Sequence, residues 1–144
     1  MRVDGVLQGK GSEVATIGPD QSLLSAVAEL GRRRIGALVV LAPDGSVAGI
    51  VSERDIVAAI SREGASVLER AVRDVMTADV ITCAPTDTME QLMSAMTEQH
   101  IRHLPVVSEG ALIGIVSIGD VVKRRVAEIQ DEATALGDYI THGR

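Results

Sequence analysis

Gly49-Ile50-Val51-Ser52-Glu53-Arg54-Asp55 and Gly114-Ile115-Val116-Ser117-Ile118-Gly119-Asp120 carry one pattern, repeated 65 residues apart. Self-similarity at a fixed period means a fold built from one supersecondary unit used twice. Working outward, Ile35-Gly36-Ala37-Leu38-Val39-Val40 matches Ile101-Arg102-His103-Leu104-Pro105-Val106 at an offset of 66. Further upstream, Thr16-Ile17-Gly18-Pro19-Asp20 matches Thr82-Cys83-Ala84-Pro85-Thr86 at the same offset. The one-residue slip falls in a turn, where Ala42-Pro43-Asp44-Gly45 faces the shorter Ser108-Glu109-Gly110. Turns tolerate such deletions.

Each copy predicts a β-α-β-β-α unit. A short extended segment ends at a proline. Apolar residues at Leu23, Val27 and Leu30, and at Met89, Leu92, Met93 and Met96, then follow helical spacing. Asp87 with Glu90 reads as a capping box for the second of these helices. β-branched runs at 38–41 and 47–51, and at 104–107 and 112–116, predict paired strands. Pro105 has no N–H for a ladder, so it belongs at a strand start or an edge. A further helix is expected over about 55–61 and from 120 to 127 or beyond. One such unit has a single sheet with a face left to hide. Two units packed sheet to sheet, with pseudo-two-fold symmetry, bury both. The expected organisation is repeat 1 over 8–63, a linker over 64–76, repeat 2 over 77–127 and a C-terminal helical tail over 128–144. Ile129, Ala133, Leu136 and Ile140 give the tail an apolar stripe for a partner or for the body.

The ordered set resembles the cystathionine-β-synthase (CBS) domain, and its two copies resemble a stand-alone CBS pair. The residues that carry the resemblance are Asp74-Val75-Met76-Thr77, Thr82 and Pro85, His103-Leu104-Pro105-Val106-Val107, and the two Gly-to-Asp stretches quoted first. It spans roughly 10–127. The resemblance implies an α/β (α+β) fold and clefts between the copies that take an adenosine nucleotide as ligand: AMP, ADP, ATP or NAD(H). It implies a flat homodimer and control of an enzyme or transporter in trans. It implies that Ser52 and Ser117 meet phosphate or ribose, and that Asp55 and Asp120 hold ribose hydroxyls. Thr16 with Ile17 and Thr82 with Cys83 would flank the base. Gly36-Ala37-Leu38 and Arg102-His103-Leu104-Pro105 would line the opposite wall.

The residues also have plainer readings. Ser-x-x-Asp is a helix N-terminal capping box that needs no ligand. The two readings are compatible, since a helix N-terminus with free N–H groups is also an anion site. Arg54 is either a solvated surface residue or a bidentate grip on phosphate. Lys10, between Gly9 and Gly11, has reach enough for a phosphate. With the pairing across copies that the resemblance implies, Arg54, Arg102 and His103 would make the Asp55 cleft the more phosphate-loving of two unequal sites. The Asp120 cleft would face the uncharged Gly36 and Ala37.

Composition narrows the alternatives. The chain has 144 residues, 46% hydrophobic, with one Tyr and neither Trp nor Phe. A core of Val, Ile, Leu, Ala and Met follows, without the aromatic platforms on which single-stranded nucleic acid stacks. A net charge of −6 speaks against a phosphate-backbone surface. The basic runs Arg32–Arg34 and Lys123–Arg125 suit helix C-terminal ends. The longest apolar run, 35–42, is too short to span a bilayer, and Met1–Gly5 has no apolar leader, so no membrane and a cytoplasmic location are expected. One cysteine allows no internal disulfide. His100, His103 and His142 lack the partners of a metal cluster. Cys83 reads as a buried strand thiol rather than a nucleophile. No base, nucleophile and oxyanion donor stand together, so no enzyme is expected. A nucleotide-sensing regulatory module leads. A CBS-fold dimerisation or interaction protein that binds no ligand is the alternative.

Overall fold

The structure, a computed structural model, describes residues 1–142, with side chains through 140. Helix α1 (Val3–Lys10) opens the chain, followed by β1 (Thr16–Ile17), α2 (Leu23–Arg33), β2 (Ala37–Leu41), β3 (Val47–Ser52) and α3 (Glu53–Glu63). After two 3-10 turns at Ala65–Glu69 and Val72–Asp74 come α4 (Met89–Gln99), β4 (His103–Ser108), β5 (Ala111–Ser117) and α5 (Ile118–His142). β1 pairs parallel with β2, and β2 antiparallel with β3. The second sheet is the β4–β5 hairpin, and the counterpart of β1 shrinks to a single parallel bridge from Cys83 to Val106. Among the described residues no helix is long and apolar enough to cross a membrane.

Two hydrophobic cores form, one per repeat. In the first, Leu38 and Val40 of β2 pack with Leu23, Ala26, Leu30, Ile56 and Ala59 of α2 and α3. Side chains alternate along a strand, so Val39 points to the opposite face, and it too is fully buried. Pro105 is likewise buried on β4. Both faces of the central strands are therefore covered, as sheet-to-sheet packing of the repeats requires. Pro105 lies inside β4 and not at its start. Its carbonyl accepts the Cys83 amide, 2.9 Å away, so its nitrogen, on the same side of the strand, faces away from β5 and costs the hairpin nothing.

The segment leading into each repeat packs on the other copy. Val3 and Leu7 of α1 join the core of repeat 2. Val67 and Val72 of the 64–76 segment join that of repeat 1. α1 has no counterpart in the periodicity reading, because it is short and only Val3 and Leu7 are buried. The α4 capping box is Thr88 with Gln91, one position beyond the expected Asp87 pair. Asp87 instead accepts the Ala84 amide at 2.8 Å and closes the turn before the helix. The methionines divide: Met89 and Met96 are core, and Met93 remains partly exposed.

Candidate functional site

Both Ser-x-x-Asp motifs form the same device. The Ser52 hydroxyl accepts the Asp55 amide at 3.2 Å, and Asp55 Oδ2 accepts the Ser52 amide and hydroxyl at 3.0 Å each. In the second copy, Asp120 Oδ2 accepts the Ser117 amide at 2.8 Å and its hydroxyl at 3.0 Å. These capping boxes open α3 and α5. The first amide of each helix is tied to the facing strand: Glu53 N–H to the Gly36 carbonyl at 3.0 Å, and Ile118 N–H to that of Arg102 at 2.8 Å.

Those two helix N-termini line one cleft of about 750 Å³. Ser52, Arg54 and Asp55 come from repeat 1, and Arg102 and His103 from repeat 2, with Gly36 and Ser117 also in the wall. The volume suits a small organic ligand. Gly36 faces the other repeat across the cleft: a Cβ there would make ordinary contact, 3.4 Å from the His103 ring and 3.5 Å from Glu53 Oε1. Arg54 and Arg102 make no ion pair among the described residues, which leaves two guanidinium groups for an anion. Burial lowers the His103 pKa, the positive charges of Lys10 and Arg102 reinforce this, and Asp120 and Glu53 pull the other way. The imidazole is accordingly neutral near pH 7.

The other expected wall residues fall elsewhere. Ile17 and Cys83, at 5% and 7% exposure, are core residues, as are Leu38 and Leu104. Ala37 and Pro105 are buried in their strands. Thr16 lines a separate cavity beside the 42–46 and 110–112 turns, and Thr82 lies outside the cleft. The cleft wall is instead Thr77, Asp79, Val80 and Ile81, one to five residues upstream of Thr82. This irregular segment has no periodicity to betray it, and strand alternation turns Cys83 inward. Burial and the Asp87 charge push the Cys83 thiol up to about 11, so it is neither a wall nor a thiolate.

Lys10 has a definite place. Its Nζ donates to Asp120 Oδ2 at 2.6 Å and to the Ile115 carbonyl at 2.9 Å. In the first copy the equivalent carbonyl, Ile50, accepts the Thr77 backbone amide at 2.9 Å. A lysine side chain thus replaces a backbone N–H and reaches on to the carboxylate. Burial works to raise the Asp120 pKa, but Lys10 and the Ser117 amide and hydroxyl outweigh it and hold the carboxyl below its ordinary range. The two motifs, alike in capping, differ in availability: Asp120 is engaged by a cation and Asp55 is not. Among the described residues no His, Cys, Asp and Glu group could hold a metal ion; the His142 side chain lies outside the described residues.

Comparison with known proteins bears on this arrangement. The family model of the CBS domain matches residues 11–62 and again 72–127. A CBS-domain-containing protein of Agrobacterium tumefaciens has a solved structure at TM-score 0.85 and 46% identity, over 87% of this chain and 99% of that one. A CBS domain protein of Pyrobaculum aerophilum, solved in complex with AMP, matches at TM-score 0.75 and 27% identity, over 83% of this chain and 89% of that one. The mitochondrial CBS domain-containing protein CBSX3 of Arabidopsis thaliana is 38% identical over 128 residues. Those residues span 86% of this chain but only 62% of that relative's length.

Proposed function

The chain belongs to the CBS-domain family, and from that premise we propose that it is a regulatory module whose Asp55 cleft binds a phosphorylated adenosine nucleotide. The observation that carries this reading is the convergence of Ser52, Arg54 and Asp55 from one repeat with Arg102 and His103 from the other around one cavity of about 750 Å³. Arginine forks match phosphate oxygens in pairs. Asp55 Oδ2 is committed to the cap, which leaves Oδ1 for a ribose hydroxyl. The AMP bound by the Pyrobaculum relative supports the ligand class. The Lys10–Asp120 pair supports a preference for the Asp55 cleft: Lys10 sits on Asp120 Oδ2, the oxygen that also serves the cap, and its charge makes that carboxylate a weaker acceptor for a diol than Asp55. The module itself catalyses nothing in this reading. Its ligand state would be read by an enzyme or transporter bound in trans, with the chain as a homodimer in the cytoplasm.

A thermal-unfolding screen tests this. A ligand that binds only the folded state raises the unfolding temperature. AMP, ADP, ATP, NAD(H) and S-adenosylmethionine are the probes. At least one adenosine ligand should stabilise the wild type and fail to stabilise Asp55→Ala. If none stabilises the wild type, the interaction-only reading of the fold replaces this one.

A further inference from the structure

The surface that the nucleotide cleft leaves unexplained is the far part of α5. Every residue from 129 to 140 is exposed, so this stretch of helix runs clear of the body. An isolated helix of such length is marginal in water, where most helical stability comes from packing an apolar face. The apolar residues of α5 recur at Val122, Val126, Ile129, Ala133, Leu136 and Ile140. Their spacing alternates strictly between four and three residues, the seam of a coiled coil rather than the broader stripe of a helix lying on a globular core. Val122, Val126, Ile129, Leu136 and Ile140 are 47–68% exposed.

We propose that this seam pairs with the same helix of a second copy of the chain, antiparallel. A seam of this period calls for a partner helix of the same period, which a second α5 supplies. Charge sets the direction. The body end carries Lys123, Arg124 and Arg125 against Asp120 and Glu128, with both arginines paired to Glu128, which leaves it weakly basic; the tip carries the acidic Asp131, Glu132 and Asp138. Parallel pairing sets the acidic tips against each other; antiparallel pairing brings each acidic tip toward the partner's weakly basic end, where Lys123 has no ion-pair partner among the described residues of its own helix. The CBS family model ends at residue 127, so most of the seam lies outside the matched repeats.

Sedimentation equilibrium on the full chain is the test. The wild type should be a dimer, and Ile129→Glu and Leu136→Glu should each weaken association at least about tenfold, because each buries an unpaired charge in the seam. Both positions are exposed, so an unchanged unfolding temperature at low protein concentration would show intact bodies. In an equimolar mixture of Val122→Cys and Ile140→Cys chains, oxidation should give the mixed disulfide; buried Cys83 does not compete. A wild-type monomer, which would leave the seam to another protein, overturns the proposal. So does a dimer indifferent to both glutamates, or cross-linking only between identical positions.

Discussion

Asp55 and Asp120 cap their helices in the same way, yet only Asp120 is paired with a lysine. On the proposed reading, that one difference makes Asp55 the ligand group and Asp120 a structural one. Asp55→Ala is expected to cost nucleotide affinity roughly 10- to 150-fold, the about 1.5–3 kcal/mol of a hydrogen bond to a charged group, while Asp120→Ala leaves affinity unchanged. Calorimetry on the two variants checks this. Asp120 should act on stability instead. Its folded pKa lies below the ordinary 3.8, so its contribution is fully present above that value and is lost as pH falls through the lower folded one. Lys10→Met should therefore be less stable by about 1 kcal/mol at pH 7, a modest figure for a partly exposed pair. The gap should close in acid, as followed by denaturant unfolding from pH 7 to 2.5. His103 titrates in the opposite sense where ligand is concerned. Its pKa is held down in the free cleft, and a bound phosphate favours the imidazolium, so binding takes up a proton. Affinity for ATP should gain more between pH 7.5 and 6 in the wild type than in His103→Gln. Equal pH profiles would remove His103 from the phosphate site. Charge and repeat register single these residues out in the sequence without coordinates; that Arg54, Asp55 and His103 line one cleft is what the structure adds. The fate of Lys10 was not legible there, since its partner lies 110 positions away and α1 brings them together.

Gly49 and Gly114, the glycines that open the repeated pattern, are places of close approach. A Cβ on Gly49 would lie 2.7 Å from the Thr77 carbonyl and 2.6 Å from the Met76 sulfur. One on Gly114 would meet only the Leu7 side chain, at 2.7 Å. Each glycine thus admits the segment exchanged from the other copy. Backbone cannot yield as a leucine tip can, so Gly49→Ala should destabilise more than Gly114→Ala. The expected costs are about 2–3 against about 1–2 kcal/mol, within the range for overpacking; urea unfolding of both variants measures them. An equal effect would mean that Thr77 moves freely, and with it the cleft wall it begins. Strands, helices and their order were readable from period-2 and period-3.6 patterns. Helix α1 was not, because an eight-residue helix burying only Val3 and Leu7 leaves almost no periodic trace. The 77–81 wall was not either, being irregular backbone whose position follows from the Ile50–Thr77 bridge.

The whole molecule is a pseudo-symmetric pair whose symmetry builds the fold and is broken at the cleft. Two cores, two capping boxes and two exchanged segments match across the repeats. One cleft collects Arg54, Arg102 and His103, and the other carboxylate is held by Lys10. The repeat made the symmetry visible from sequence, and the differing residues within it, Glu53-Arg54 against Ile118-Gly119, marked where the two motifs differ in charge. Titration calorimetry of the wild-type chain with AMP tests the central claim most directly. One adenosine nucleotide should bind per chain, with binding abolished or strongly weakened by Asp55→Ala and unaffected by Asp120→Ala. Two equivalent sites per chain, or binding that follows Asp120 instead of Asp55, would contradict it.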